Sequence, residues 1–294
     1  MSDALRSARP YSCLAWKDPC AELPPPVACE PTPNAMLMKP VARARAGQTQ
    51  AKYCKPCVNR REMDWVAGVD GYKSEWCLVL LHLGSGELRS RIVPSFSLLL
   101  DLPERPSVLC VDIPIGLPQF TPRGGRSCEK EARRALGRKA TSVFSALGRL
   151  CLEGATRLEA DHLNRQAGGI GIGAQAWGLS KKLREVDAAL DPEAQRTIYE
   201  VHPAVSFWAM KGEVPMLHSK KSAEGARERI EALHRGGFPP EFVEKIPNGK
   251  VGRDDFLDAC AAAWTAKRIA NHEEGRFPSE VERDVRGLDM AIWF

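Results

Sequence analysis

Three observations predict a mixed α/β domain for this 294-residue chain. Apolar runs bounded by turn residues fall close together at 65–71, 76–83 and 88–96, as hairpin-joined strands do. A fourth run, Ser107 to Gly116, is apolar on both faces, as a strand in the middle of a parallel sheet must be. From there on, helical stretches alternate with strand-like ones.

Residues 1–62 precede this pattern. They hold nine of the 22 prolines, including Pro24-Pro25-Pro26, and show little apolar periodicity. Such a segment buries too little surface to offset chain entropy. It is expected to be a disordered or loosely tethered extension, dispensable for folding, with the α/β domain spanning 63–294. It also carries the whole excess charge: ten Lys and Arg against five Asp and Glu, whereas 63–294 has 32 of each sign. Cys54-Lys-Pro-Cys57 is a single zinc-type knuckle, but Cys13, Cys20 and Cys29 stand at gaps that do not supply a second pair. Five of the ten cysteines lie in this segment and the others are scattered singly, which is no disulfide framework. The first 30 residues lack an apolar leader core, and no apolar run approaches the roughly 18 residues of a membrane span. The expected location is cytoplasmic.

Within the domain, Gly84-Ser-Gly86 reads as the connection between the second and third strands. A long helical stretch from about Cys128 to Leu190 is broken by glycines between Gly168 and Gly173. Those glycines superficially suggest a dinucleotide fingerprint, but they follow a predicted helix rather than a strand, so the context fails. Thr197 to Pro203 is the fifth strand, and Asp254 opens an Ala-rich helix running to about Glu274.

The acids carry the functional signal. Asp70, Asp112 and Glu200 each lie near the C-terminal end of a predicted strand, where open α/β sheets gather their ligands. Three carboxylates there repel one another unless a cation or a proton intervenes; the bland alternative is that each caps a neighbouring loop. Asp254 and Asp255 suit the first turn of the last helix. Asp258, one turn further in and flanked by Ala259, Cys260 and Ala261, faces either solvent or the top of the sheet, and its small neighbours favour the sheet. Hard oxygen donors suit Mg²⁺ or Mn²⁺, with Asp70, Asp112, Glu200 and Asp258 as ligands and Asp255 assisting catalysis. The implied chemistry is hydrolysis of a phosphodiester bond. His202, two residues past Glu200, either protonates the leaving group or joins the metal shell; alternatively it is a histidine bonded to backbone ahead of Pro203.

Val-Asp70-Gly, Val-Asp112-Ile-Pro-Ile-Gly-Leu-Pro, Ser142-Val-Phe, Gln175-Ala-Trp, Glu185-Val-Asp187, Glu200-Val-His-Pro, Asp254-Asp255-Phe-Leu-Asp258-Ala and Gly287-Leu occur in an order that resembles the domain of unknown function 429 family, predicted nucleases of the ribonuclease-H-like superfamily. The resemblance covers about 64–294. It implies a ribonuclease-H-like five-stranded sheet of order 3-2-1-4-5 with strands 1, 4 and 5 parallel, helices on both faces and a helical insertion between strands 4 and 5. Junction resolvases of that superfamily place two acids on a late helix, similar to Asp255 and Asp258.

A phosphodiester needs cations. Arg123, Arg126, Lys130 and Arg133 read as one basic stripe downstream of the Asp112 strand, and Lys220 belongs to a second patch. These are the expected phosphate contacts, with a solvated helix face as the alternative. The expected partner is a nucleic acid or a nucleotide-like phosphodiester, and no membrane. Two other functions remain open: a nucleotide-handling enzyme of the actin or sugar-kinase type, for which Gly71-Tyr-Lys-Ser is a poor phosphate hairpin, and a non-catalytic nucleic-acid-binding protein.

Overall fold

The computed structural model describes residues 64–246 and 251–294. The expectations for 1–62, including the Cys54–Cys57 knuckle, lie outside the described residues.

Strands β1 (Trp65–Tyr72), β2 (Glu75–His82) and β3 (Leu88–Val93) form an antiparallel meander, and β4 (Val108–Val111) and β5 (Ile198–Glu200) continue it in parallel beyond β1. The order is β3-β2-β1-β4-β5, as expected. The third run ends earlier than its apolar pattern suggests. Pro94 has no amide for the ladder, and Phe96–Leu100 turns into a short helix, α1, whose first amide donates to the Glu185 carboxylate. The fourth run leaves the sheet after Val111, ahead of Pro114.

The chain between β4 and β5 is helical but not continuous. It comprises α2 (Ser127–Leu136), α3 (Arg157–Gln166), α4 (Ala174–Gly178) and α5 (Ser180–Ala189), with two 3-10 turns between α2 and α3 and one after α5. Residues 168–173 connect α3 to α4, as the glycines suggest. After β5 come α6 (Pro203–Met210), α7 (Ala223–Arg235), α8 (Pro240–Val243) and α9 (Arg253–Ala270). A hairpin that the sequence pattern does not announce, β6 (Arg276–Arg283) with β7 (Asp289–Trp293), closes the order.

Strand alternation sorts the core into two layers. Trp65, Ala67 and Val69 of β1, with Leu109 and Val111 of β4, pack with Phe96, Ala160, Leu183 and Val186 on one face. Val66, Val108 and Cys110 pack with Ala262, Ala266 and Ile269 of α9 on the other. The approach of α9 is close because of Gly68: a Cβ there would lie 2.0 Å from the Ala263 amide nitrogen and 2.3 Å from the Ala259 carbonyl oxygen. Small residues on both partners thus set the height at which α9 crosses β1.

Several motif acids are struts. Glu185 accepts from Trp76 Nε1 (3.3 Å) and the Phe96 amide, pinning α5 to β2 and α1. Arg149 bridges Asp187 and Asp284 at 2.5 Å each. Asp284 in turn accepts from the amides of Leu117 (3.0 Å) and Leu288 (2.9 Å), so the terminal hairpin holds the loop that follows β4.

Candidate functional site

Asp70 is the sixth residue of β1 and, by alternation, shares the α9 face with Val66 and Gly68. Asp112 directly follows Cys110 and Val111 and its amide still donates to the Val69 carbonyl (2.9 Å), so its side chain falls on that same face. Asp258 descends from α9 onto the same end of the sheet and is 2% exposed. Asp70 and Asp112 share a hydrogen bond, and Asp70 Oδ1 also accepts from the Gly71 amide at 2.7 Å.

Burial, and then the charges of Asp112 and Asp258, hold Asp70 well above the usual carboxylate range; Lys220 opposes them. Asp112 is also raised, chiefly by burial, with His202 pulling it back. Asp255, in the first turn of α9, is raised by burial and by Asp254. Asp70 and Asp112 thus each hold a proton to higher pH than an isolated carboxylate would. Lys220 supplies the compensating cation, donating to Asp258 Oδ2 at 2.7 Å. Burial works against its charge, yet Asp258, Asp112 and Asp70 together raise its pKa.

Glu200 corrects the expected ligand set. Its partner across the parallel ladder is Val111, so it points to the opposite face from Asp112. Both of its oxygens are taken by Arg126, at 2.5 Å from Nη2 and 2.8 Å from Nη1, and one also accepts the Ile115 amide at 2.7 Å. Burial nonetheless pushes Glu200 up to about 7, against the pull of Arg126.

Arg126 is therefore no surface phosphate contact. It is 4% exposed and ties Glu200, Glu129 and the carbonyls of Ile115 and Gly116 together beneath the loop after β4. Arg133 is likewise occupied: it donates to the carbonyls of Val143 (2.6 Å) and Gly124 (2.6 Å), clamping the 143–145 segment. Arg123 and Lys130 are exposed and outside the cavity lining. The stripe fails because Arg126 sits at the helix cap, turned inward, rather than on the helix surface. His202 also takes its blander alternative. It caps α6, with Nδ1 accepting from the Ala204 amide (3.3 Å) and Nε2 against the Ser142 carbonyl oxygen (3.2 Å). A neutral ring protonated on Nε2 satisfies both contacts.

A cavity of about 950 Å³ opens over the strand ends. Asp70, Asp112, Asp258, His202 and the Arg126–Glu200 pair all border it. Lys73, Lys139, Lys181, Lys182, Lys220 and Arg229 also line it. Lys139 closes the basic stretch that begins at Arg123, and Arg229 belongs to the Lys220 patch; Lys73, Lys181 and Lys182 were not among the expected contacts. Lysines at scattered positions carry no readable spacing, so only the fold could gather them.

The donor chemistry fits a hard divalent cation. Carboxylate oxygens surround the spot, and the neighbouring Cys77 is pushed up to about 12 by burial, so it stays a thiol rather than a soft thiolate ligand. Among the described residues, however, no three His, Cys, Asp or Glu side chains form a ready ligand set. Here Asp70 and Asp112 hold each other and Lys220 holds Asp258.

The family model Protein of unknown function (DUF429) matches residues 68–283, and the chain belongs to that family. No curated protein and no solved structure matches the chain.

Proposed function

We propose that this protein is a divalent-metal-dependent hydrolase of phosphodiester bonds, a nuclease of ribonuclease-H-like type. The observation that carries the reading is the convergence of Asp70, Asp112 and Asp258 from β1, β4 and α9 on one cavity lined by lysines. Two carboxylates that hold protons to raised pH, next to an ammonium, form a site prepared to exchange those protons for a multivalent cation.

Asp70, Asp112 and Asp258 would hold Mg²⁺ or Mn²⁺, with Asp255 at the margin. The ion would supply a water of lowered pKa and charge stabilisation for the phosphoryl oxygens. The chain's own groups do the rest. Asp70 and Asp112 would hold the ion in their ionised form, any proton passing to solvent. Lys220, which donates to Asp258 here, would be the cation placed to face the substrate phosphate. His202 keeps its backbone bonds and is not the proton donor. Arg126 and Glu200 fix the loop that carries Asp112 and Ile115.

The test is a screen of purified protein with Mn²⁺ against single-stranded, duplex and branched DNA and RNA, with Asp70→Asn as control. Cleavage that is lost in the variant supports the reading. Cleavage that survives in Asp70→Asn defeats it, as does no cleavage together with no metal-induced shift in melting temperature. That last result favours a binding protein whose acids Lys220 keeps neutralised.

A further inference from the structure

Arg229 is an unusual residue on the wall of this cavity. It lies on α7, is 7% exposed, and its Nε is buried without a partner. Nη1 donates to the Gly225 carbonyl one turn earlier at 3.0 Å. The Phe207 ring, 5.4 Å from the guanidinium carbon, gives partial compensation. A buried cation normally sits on a carboxylate, because desolvation is otherwise uncompensated.

The nearby acids are already engaged. Lys211 holds Glu228 at 2.5 Å, Lys220 holds Asp258 at 2.7 Å, and Lys221 holds Asp254. The acids whose field reaches Arg229 are thus each ion-paired with a lysine, and among the described residues no carboxylate forms a salt bridge with the guanidinium itself. Lys220, Ser219 and His218 border the cavity beside it. That segment is fixed from below, since Glu228 accepts the amides of Leu217 and His218 at 2.9 and 3.0 Å. It also presses on α7 at Gly225, where a Cβ would lie 1.8 Å from the Ser219 carbonyl oxygen.

We propose that Arg229 and Lys220 form a phosphate-binding subsite, with the Arg229 fork as its fixed floor and Lys220 as its movable wall. A planar guanidinium with unused donors matches a tetrahedral oxyanion in charge and geometry. The subsite anchors the phosphodiester proposed above and rests on that reading for the identity of its ligand. Its preference for an oxyanion follows from the buried guanidinium with its unpartnered Nε.

The experiment uses the whole protein, metal-free, at constant ionic strength, with inorganic phosphate as probe. The ¹⁵N resonance of Arg229 Nε is followed along with melting temperature. Phosphate is expected to move that resonance and to raise the melting temperature. Arg229→Met should weaken phosphate about tenfold or more, Arg229→Lys less, and Lys220→Ala several-fold. An Nε resonance that phosphate leaves in place in the wild-type protein overturns the proposal, whether or not the variants fold. So does Arg229→Met binding phosphate as the wild type does. If phosphate binds as expected but no nucleic acid is cleaved, the subsite stands and the nuclease reading falls. If cleavage occurs with a phosphate response that ignores Arg229, the subsite alone falls.

Discussion

At the scale of single residues, two buried charge arrangements border the cavity, and each has its own signature. Asp70 ionises near 3.8 in an unfolded chain but well above that when folded. Its contribution to stability is therefore full below pH 3.8 and is lost as pH rises through the folded value. Asp70→Asn is expected to melt higher than the wild-type protein at pH 7–8, with the gap closing toward pH 4. Equal melting temperatures across that range would show that Asp70 bears no such strain. In the second arrangement, Arg126 and Glu200 are 2% and 5% exposed at their side chains. Removing Arg126 strands both Glu200 and Glu129, whereas removing Glu200 leaves Arg126 on Glu129, so Arg126→Met should cost about 3–5 kcal/mol and Glu200→Gln less. The Arg126→Met/Glu200→Met double variant should recover part of that loss in chemical denaturation. Additive losses would mean that the pair does not act as a unit. That Glu200 belongs to this pair was not legible beforehand. β4 and β5 offer apolar residues to both faces, so composition does not say which way an acid on them points. Asp258 was legible because its small neighbours allowed a single close packing partner.

Elements set where those residues stand. α9 meets β1 at Gly68, where an added methyl group collides with backbone rather than with a flexible side chain. Gly68→Ala should cost about 3 kcal/mol, at the upper end of overpacking effects, and should lower metal affinity along with stability because Asp258 rides on the same helix. A variant with native melting temperature would refute this contact. The segment that bears Lys220 depends on Glu228, which the backbone amide of His218 and the Lys211 ammonium hold down at about 2 although burial works against them. Its folded value lies below its ordinary 4.5, so its stabilisation is present above 4.5 and fades as pH falls toward 2. Glu228→Gln is expected to melt lower at pH 7 and to match the wild type near pH 2. The three N-terminal strands and α9 could be read from periodicity. β6 could not, because its outward residues are mostly exposed and charged, and α6 could not, because Val205, Phe207 and Trp208 bury it nearly all round.

The whole molecule shows why net charge was a poor guide. Residues 63–294 balance 32 charges of each sign, yet the fold gathers lysines from four distant stretches around one cavity. A cation loaded there would compete with protonation of Asp70 and Asp112, whose pKa values burial raises. The metal-induced rise in melting temperature should therefore grow with pH from 6 to 9, with protons released in calorimetry. A shift independent of pH would place the metal elsewhere. No helix among the described residues is long and apolar enough to cross a membrane. The five-stranded order was legible because an ordered series of short motifs resembled a family. Of the cavity's cations, Lys73, Lys181 and Lys182 were not, since proximity among lysines so far apart in the chain is a property of the folded surface.

The single bridge between Val201 and Trp293 has a temporal meaning. It lays β7 along the outer edge of β5, yet α6, α7, α8 and α9 all lie between the two in the chain. A nascent chain emerging from a ribosome exposes β5 long before the strand that will cover it. An open sheet edge is a template for unwanted pairing. β5, only three residues long, offers a passing strand too few bonds to hold, and so can wait for its neighbour to be synthesised.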